Sequence, residues 1–241
     1  MPVEIGIQSY TFRKFDIRTV ADKLQQLGVQ AAEVWDGHLP ASTPPAEVES
    51  ILAHFRSRGL RVCGFGVVWL RDPESARQLV QFAARLGADY LSVDFRPDDR
   101  ETQQAAVAEA QEAGICLALH NHGPGHHFGS SERVWQAVSG YPREMGACVD
   151  TGHYLRSGED PVAVIEHLGE RVHAVHLKDF VDERKEVSPG TGRLDLPAVV
   201  AALRKQGFAG TYVIEYEADP ENPSPTLEPV VARLRELLGQ E

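Results

Sequence analysis

The chain has 241 residues, 42% of them hydrophobic, and carries 24 Lys and Arg against 35 Asp and Glu, a formal net charge of −11. This composition is typical of a globular domain and excludes the disordered and fibrous classes. The negative charge and the lack of a run of Lys and Arg argue against a nucleic-acid partner, because phosphate binding needs a basic surface.

Short β-rich runs alternate with segments of helical apolar spacing along the chain. The predicted strands lie near residues 3–10, 30–35, 61–67, 89–94, 115–120, 145–150, 172–178 and 211–217. The predicted helices cover residues 17–27, 45–58, 73–87, 100–113, 130–140, 160–168, 196–207 and 225–239. Eight such pairs predict a single (β/α)8 TIM barrel over residues 1–241, since barrels of this class have about 250 residues.

Glycine and proline mark the junctions between these elements. Glycine follows five predicted helices, where a left-handed C-cap residue is needed, at Gly28, Gly59, Gly87, Gly114 and Gly207. Proline stands at three helix starts, at Pro73, Pro161 and Pro197. The competing architecture is an open doubly wound sheet. The first strand is not followed by a Gly-x-Gly-x-x-Gly turn, which disfavours the dinucleotide-binding version of that sheet.

The cysteines and the N-terminal residues predict the compartment. Cys63, Cys116 and Cys148 each lie in an apolar run, where a buried reduced thiol is expected. Residues 1–10 show no basic region followed by an apolar one, and nowhere do eighteen apolar residues follow one another. We therefore expect a cytoplasmic protein that is neither exported nor inserted in a membrane.

Polar residues close four of the predicted strands, at the end of a barrel where active sites form. These residues are His120, Asp150, His176 and Glu215. Four polar groups buried together would be costly without a shared cation, so we predict one divalent-metal site. Imidazole and carboxylate ligands suit manganese, our first choice, and also zinc, cobalt, magnesium or iron. His122 is left as an alternative to His120 for the ligand from the fifth strand.

Alternation along the strands tests this assignment, because every second residue faces the barrel interior. The residues predicted to share a face with a proposed ligand are mostly small: Cys116 and Ala118 below His120, Gly146 and Cys148 below Asp150, and Val172 and Ala174 below His176. Leu119, Val149 and Val175 should face the helices.

Other polar and aromatic residues are candidates for substrate contacts. Glu33 closes the second strand, where it could bind substrate or support a ligand. Tyr10 and Trp35 could form walls of the pocket, because sugars present apolar C–H faces to aromatic rings. His122 and Arg193 complete the set, and Arg193 follows a Gly190–Gly192 turn that could form part of a phosphate cradle.

Several motifs together resemble one known family. They are Gln8-Ser9-Tyr10-Thr11-Phe12, Ala32-Glu33-Val34-Trp35, Asp150-Thr151-Gly152-His153, His176-Leu177-Lys178-Asp179, Gly190-Thr191-Gly192 and Ile214-Glu215-Tyr216-Glu217. Over essentially its whole length the chain resembles the xylose-isomerase-like barrel superfamily of sugar isomerases and epimerases, which also contains inosose dehydratases and apurinic endonucleases. The resemblance implies that Asp150, His176 and Glu215 bind the metal, that His153 contacts substrate, and that the protein forms a homodimer.

The chain departs from the family pattern at the fifth strand. Similar epimerases usually end this strand in a glutamate that is both a metal ligand and a base, whereas this chain has His120. Two carboxylates balance a divalent cation, so the histidine version should be the stronger Lewis acid, but it lacks one of two opposed bases. This disfavours two-base epimerisation. It favours one-base isomerisation, or elimination of water next to a carbonyl.

The sequence therefore predicts a divalent-metal-dependent isomerase or epimerase that acts on a small sugar, keto-sugar or cyclic polyol. Proton abstraction next to a carbonyl would give a metal-stabilised enediolate. Glu215 would be the base, His153 would position a hydroxyl or shuttle the proton, and Lys178 would hold a substrate oxygen. The main alternative is a dehydratase or lyase. A sugar-binding barrel without turnover is a further one, and charge argues against an apurinic endonuclease.

Overall fold

Eight parallel strands close into a barrel in the computed structural model, which describes residues 3–240. The barrel strands are β1 Ile5–Gln8, β2 Ala31–Val34, β3 Arg61–Trp69, β4 Tyr90–Asp94, β5 Cys116–His120, β6 Met145–Asp150, β7 Val172–Leu177 and β10 Tyr212–Ile214. Two further strands, β8 Asp179–Phe180 and β9 Glu186–Val187, form an antiparallel hairpin. The order of the strands around the barrel is β1-β10-β7-β6-β5-β4-β3-β2. The predicted (β/α)8 barrel is confirmed. Residues 1, 2 and 241 of the predicted domain lie outside the described residues.

Helices follow the barrel strands and cover their outer faces. They are α1 Ile17–Leu27, α2 Pro45–Ser57, α3 Pro73–Arg85, α4 Arg100–Ala113, α5 Ser131–Val138, α6 Thr151–Arg156, α7 Pro161–Leu168, α8 Leu196–Lys205 and α9 Ser224–Leu238. The predicted junction glycines all have positive φ, as a helix C-terminus requires. Within residues 3–240, no helix is long and apolar enough to cross a membrane.

The barrel interior contains a layer of small side chains below the strand ends. Ala118, Cys148 and Ala174 pack there with Tyr90, and Cys116 packs against them. Outward-facing residues of the same strands, Leu119, Val149 and Val175 among them, belong to the larger core between the strands and the helices. The predicted alternation is confirmed for these residues.

Val172 is the exception to the predicted alternation. The pairing of β6 with β7 slips by one residue, so that Ala147 pairs with Val172 but Cys148 pairs with Ala174. Val172 therefore packs in the outer core. The His173 ring lies where a side chain on Gly146 would be, which only a glycine at that position permits.

Three elements at the carboxyl ends of the strands were not predicted. A 3-10 helix, Ser9–Phe12, ends the run that was predicted as the first strand. Helix α6 begins directly after β6, and the β8–β9 hairpin lies between β7 and α8. All three lie at the carboxyl ends of the strands, the same end as the predicted ligands.

Candidate metal centre

The predicted metal ligands converge at the carboxyl ends of β5, β6, β7 and β10. One ligand atom from each of His120, Asp150, His176 and Glu215 lies within 4.8 Å of the others, and all four residues are buried. His120 Nε2 lies 3.2 Å from His176 Nδ1 and 3.8 Å from Asp150 Oδ2, and His176 Nδ1 lies 2.9 Å from Glu215 Oε2. The barrel therefore brings together residues that are up to 95 positions apart in the sequence.

These separations suit a single divalent ion. Ligand atoms about 2.1 Å from one tetrahedral ion lie about 3.4 Å from one another, within the range that the four side chains span. Asp150 Oδ2 is buried and has no hydrogen-bond partner among the described residues. A buried carboxylate oxygen without a partner carries a large desolvation penalty, which a bound cation would relieve.

The far ring nitrogen of His176 has the partner that metal-binding histidines usually have. His176 Nε2 donates to Glu33 Oε2 at 2.6 Å, and the Tyr90 hydroxyl donates to the same oxygen at 2.5 Å. A carboxylate at this position fixes the ring orientation and makes the other nitrogen a better ligand. His176 Nδ1 is thereby directed toward His120 and Glu215.

Burial and neighbouring charges set the protonation states of the cluster. Burial lowers the pKa of His120 well below its usual value, and His176 lowers it further, so His120 is neutral and offers a lone pair. Burial alone would raise the pKa of Glu215, but Lys178 and His176 outweigh it and hold that pKa well below the usual value. Burial alone would lower the pKa of His176, but Cys148 and Glu33 outweigh it and raise that pKa well above the usual value, so an ion bound at Nδ1 would displace a proton.

Cys148 lies close enough to His120 and His176 to form a second possible ligand set. Burial raises the pKa of the Cys148 thiol to about 11. Metal ligation needs the thiolate, so the carboxylates of Asp150 and Glu215 are the better ligands. Cys148 is free, as are Cys63 and Cys116.

Asp150 is held in place by its neighbours through backbone hydrogen bonds. Its Oδ1 accepts from the His153 amide at 2.8 Å and caps α6, which leaves Oδ2 directed at the ligand cluster. The Asn121 side chain bonds both the amide and the carbonyl of Asp150, at 2.7 and 3.0 Å. The Asn121 side chain thus joins the end of β5 to the end of β6 through two hydrogen bonds, as a paired backbone residue would.

Lys178 is almost fully buried beside the ligands, among carboxylates. Its Nζ lies 3.5 Å from Glu215 Oε1 and 3.9 Å from Glu186 Oε1, and it also contacts Glu217. Burial alone would lower the pKa of Lys178, but these carboxylates and Asp150 outweigh it and raise the pKa. The ammonium therefore holds Glu215 from the side opposite His176.

A cavity of about 200 Å³ opens onto the cluster. Its lining consists of Gln8, Tyr10, Trp35, Gly66, Val67, His120, His122, His153 and Glu215. Tyr10 and Trp35 meet edge to face, with ring centroids 4.9 Å apart. Glu215 is the one carboxylate in this lining, and the three histidines and the Tyr10 hydroxyl are the other groups able to transfer a proton.

His153 has a defined tautomer in this cavity. Arg156 Nη1 lies 3.3 Å from His153 Nδ1, and a guanidinium can only donate. Nδ1 must therefore be the acceptor, and Nε2 of the neutral ring carries the proton. His153 Nε2 lies 3.9 Å from Asp150 Oδ2, so this N–H points toward the ligand cluster.

Comparison with known proteins places the barrel in a family. Residues 21–237 match the family described as xylose isomerase-like TIM barrel. The chain belongs to this family. The resemblance inferred from the sequence motifs is thus confirmed.

Two curated relatives and one solved structure are similar to this family member. The rhizopine catabolism protein MocC of Rhizobium meliloti is 30% identical over 213 residues, 79% of this chain and 63% of that protein. The inosose dehydratase of Geobacillus thermodenitrificans is 30% identical over 155 residues, 54% of this chain and 50% of that protein. The IOLI protein with a bound zinc atom is 14% identical, covers 98% of each chain and has a TM-score of 0.78, which shows the same fold.

The chain spans less than two thirds of the length of these curated relatives. Their names describe a dehydratase and a catabolic protein, whereas the family is named for an isomerase. These names therefore do not agree on a single reaction.

Two predicted substrate residues of this barrel do not reach the cavity. Glu33 is fully buried and bonded to His176 and Tyr90, so it supports a candidate ligand, the second of its two predicted roles. Arg193 is exposed, its Nε donates to the Phe180 carbonyl at 3.3 Å, and it does not line the cavity.

The backbone amides of the Gly190–Gly192 turn are not free to hold a phosphate. The amides of Gly190 and Gly192 both donate to Asp179 Oδ2, at 3.0 and 2.7 Å, and the Leu194 amide donates to Asp179 Oδ1. These amides are therefore already occupied by a buried carboxylate. Asp179 fastens the loop after β9 to the barrel, and its place in the His176–Asp179 motif gave no sign of that role.

Sequence reasoning also missed Asn121 and Tyr90. Asn121 directly follows His120, and its position next to a predicted ligand was the available signal. Tyr90 begins β4, 57 residues from its partner Glu33, so nothing local in the sequence connects the two.

Proposed function

We propose that this chain is a divalent-metal-dependent isomerase or epimerase that removes a proton next to the carbonyl of a sugar, keto-sugar or cyclic polyol. The observation that carries the proposal is the position of Glu215, which belongs to the four-residue cluster and is also the one carboxylate lining the cavity. His120, Asp150, His176 and Glu215 would hold the ion, with manganese as the first choice. A bound divalent ion supplies a Lewis acid that makes the proton next to the carbonyl more acidic.

The base is Glu215. Its two oxygens lie beside His176 and Lys178, at 2.9 and 3.5 Å, which orients the carboxylate and keeps it ionised. An ionised carboxylate at the cavity wall can accept a proton from a carbon placed against it. Lys178 would also hold a substrate oxygen near the same carboxylate.

The remaining cavity residues position the substrate and supply a proton. His153, with its proton on Nε2, donates to a hydroxyl or to the carbon that is reprotonated. Tyr10 and Trp35 pack against the C–H face of the sugar and exclude water from the reacting carbon. A lining with one carboxylate favours one-base isomerisation, in which Glu215 gives the proton that it has taken to the neighbouring carbon of the enediolate, whereas epimerisation would need His153 to reprotonate the same carbon from the other face.

A dehydratase is the second candidate, and two observations favour it. An inosose dehydratase is among the relatives that are 30% identical. Moreover, Glu215 and His153 line the same cavity as a base and a proton donor. Glu215 would take the proton from carbon, the C–H electron pair would form a C=C bond, and the neighbouring C–O bond would break. The hydroxyl would leave as water with a proton from His153.

Proton exchange tests the removal of a proton from carbon, which is the first step of both the isomerase and the dehydratase reactions. Protein loaded with Mn²⁺ is incubated in D2O with ketoses, 3-keto-glucosides and inososes, and the products are followed by NMR and mass spectrometry. We expect deuterium to enter next to the carbonyl. A product of unchanged mass apart from deuterium identifies an isomerase or epimerase, and a loss of water identifies a dehydratase.

Glu215→Gln provides the decisive variant, with Arg193→Gln as the matched control at an exposed site. Glu215→Gln should slow exchange by roughly 10³-fold and weaken Mn²⁺ binding, whereas the control should keep both. Exchange at the wild-type rate in Glu215→Gln would show that another group is the base. Neither exchange nor product formation in the wild-type protein with any of the three substrate classes, despite bound Mn²⁺, would favour a binding protein.

A further inference from the structure

The cavity at the candidate metal centre adjoins a second cavity across His153. The metal-centre cavity has a volume of about 200 Å³, below the range of about 300–1,000 Å³ usual for small-molecule sites. The neighbouring cavity has a volume of about 630 Å³, and His153 lines both. A substrate with its reacting carbon at Glu215 would therefore extend past His153 into the second cavity.

The second cavity is rich in cations, in contrast with the rest of the chain. Its lining contains five Lys and Arg and three Glu, whereas the whole chain has 24 Lys and Arg against 35 Asp and Glu. The cations are Arg13, Arg156, Lys178, Arg184 and Lys185. We call this lining the cationic cavity.

Two of its guanidinium groups are held by backbone carbonyls and not by carboxylates. Arg13 Nη2 donates to the Glu217 carbonyl at 2.8 Å, and Arg156 Nε donates to the Glu183 carbonyl at 2.9 Å. The Arg156 guanidinium also stacks over the Phe180 ring, 5.2 Å from its centroid. Within residues 3–240, neither arginine forms a salt bridge at 4.0 Å or less. Their positions are fixed while their charges are left without a counterion.

Two of the three lining carboxylates contact Lys178. Glu217 contacts the Lys178 ammonium, and Glu186 Oε1 lies 3.9 Å from the same nitrogen. The Glu186 carboxylate also accepts from the Glu217 amide at 3.1 Å. The third carboxylate is that of Glu183, so five Lys and Arg against three Glu leave the lining with a formal net charge of +2.

We propose that the cationic cavity binds an anionic group of the substrate, a carboxylate or a phosphate ester, at the end remote from the carbon that reacts. This inference rests on the proposed function, because it places the other end of the same substrate at Glu215. Arginine suits such a group, since its planar fork of N–H donors matches two oxygens of a carboxylate or phosphate. Fixed guanidiniums beside His153 would also align the substrate with the base.

Three probes with the same six-carbon chain test the inference: neutral D-glucitol, D-gluconate and D-glucitol 6-phosphate. Binding to the Mn²⁺-loaded full chain is measured by calorimetry at low and high salt. We expect at least one anionic probe to bind about tenfold or more tightly than D-glucitol at low salt, with a smaller advantage at high salt because the charges are screened. The preferred anion identifies the group as a carboxylate or a phosphate.

The test variants are two double replacements, Arg13→Gln with Arg156→Gln and Arg184→Gln with Lys185→Gln, and the control is Arg193→Gln, which is exposed on the neighbouring loop and does not line the cavity. At least one double variant should reduce the preference for an anion to less than about threefold, and the control should keep it. Equal affinity for all three probes in the wild type, or a preference that survives in both double variants, overturns the inference. In the second case the anion would be binding the metal directly.

Metal content and deuterium exchange, measured on the same samples, separate the two proposals. If deuterium exchange occurs with neutral sugars and no anion is preferred, the proposed function is supported and the cationic cavity is not part of the substrate site. A preference for anions without exchange on any substrate would contradict the proposed reaction and keep the anion site.

Discussion

Two clusters of histidine and aspartate lie side by side at the carboxyl ends of the strands, and only one has the hydrogen bonds of a metal site. The first is the ligand cluster described above. The second consists of Asp94, His122 and His126, whose candidate ligand atoms also lie within 4.8 Å of one another. The His120 and His122 rings are 4.9 Å apart, so the two clusters are neighbours. Their residue types alone do not distinguish them.

The far nitrogens of His176 and His126 do distinguish them. In the ligand cluster, His176 Nε2 donates to Glu33, so Nδ1 faces Glu215 and would bind a cation that displaces its proton. In the second cluster, His126 Nδ1 accepts from the Phe128 amide at 3.3 Å, so Nε2 of the neutral ring carries the proton. That N–H faces Asp94 Oδ2 at 3.4 Å.

The second cluster therefore forms hydrogen bonds of its own. Asp94 Oδ1 accepts from the Phe95 amide at 2.7 Å, and Asp94 Oδ2 lies 3.0 Å from His122 Nε2, although the two are not aligned for a hydrogen bond. We interpret Asp94 as an anchor for the glycine-rich loop that carries His126. The comparison teaches that ligand chemistry depends on what the second ring nitrogen contacts.

The largest expected effect is a loss of bound Mn²⁺ when one carboxylate charge is removed from the ligand cluster, compared with the same change in the second cluster. Asp150→Asn keeps the cap of α6, because asparagine caps helices as well as aspartate, but removes a charged ligand. We expect bound Mn²⁺, measured by elemental analysis after gel filtration, to fall from about one per chain to near zero, with loss of turnover. Asp94→Asn should keep both. Loss of metal in Asp94→Asn alone would reverse the comparison.

A smaller effect is expected from the group behind His176. Glu33→Gln removes the carboxylate that orients the ring, so Mn²⁺ affinity should fall about 10- to 100-fold, because groups that support ligands usually contribute this much. Tyr90→Phe deletes one of the two hydrogen bonds to Glu33 and should have a lesser effect. Titration with Mn²⁺ measures both. Unchanged affinity in Glu33→Gln would mean that His176 needs no support from Glu33.

The sequence was sufficient to predict the barrel and the four strand ends, because both follow from local periodicity. Alternation placed Ala118, Cys148 and Ala174 correctly, since it holds wherever the strands pair in register. It failed at Val172, because the slip between β6 and β7 depends on pairing across the sheet.

Contacts between residues far apart in the sequence could not be predicted either, because they too depend on tertiary packing. Glu33 and His176 are 143 residues apart, and the role of Glu33 depends on which way the His176 ring turns. The tautomer of His126 depends on a backbone amide in a loop. Such hydrogen bonds are set by tertiary packing, and they are what separates the two clusters.

The smallest expected effect concerns the anchor role of the second cluster. His126→Ala removes the hydrogen bond from the Phe128 amide and the contact with Asp94, so the free energy of unfolding at pH 7 should fall by at most about 1 kcal/mol, the usual net value of one hydrogen bond. Bound Mn²⁺ should be unchanged. His127→Ala, at the exposed neighbouring position, should change neither quantity and is the control.

The pH dependence of stability sharpens this prediction. Burial, reinforced by His122, lowers the pKa of His126 below its usual value of 6.5, although Asp94 opposes the shift. As the pH falls below about 6.5, the unfolded chain takes up a proton that the folded chain resists, so acidification lowers the free energy of unfolding. His126→Ala should remove this contribution, and urea unfolding between pH 7 and pH 5.5 should show a shallower slope than in the wild type. An unchanged slope together with loss of metal would identify His126 as a ligand, because the anchor role predicts the opposite result for each quantity.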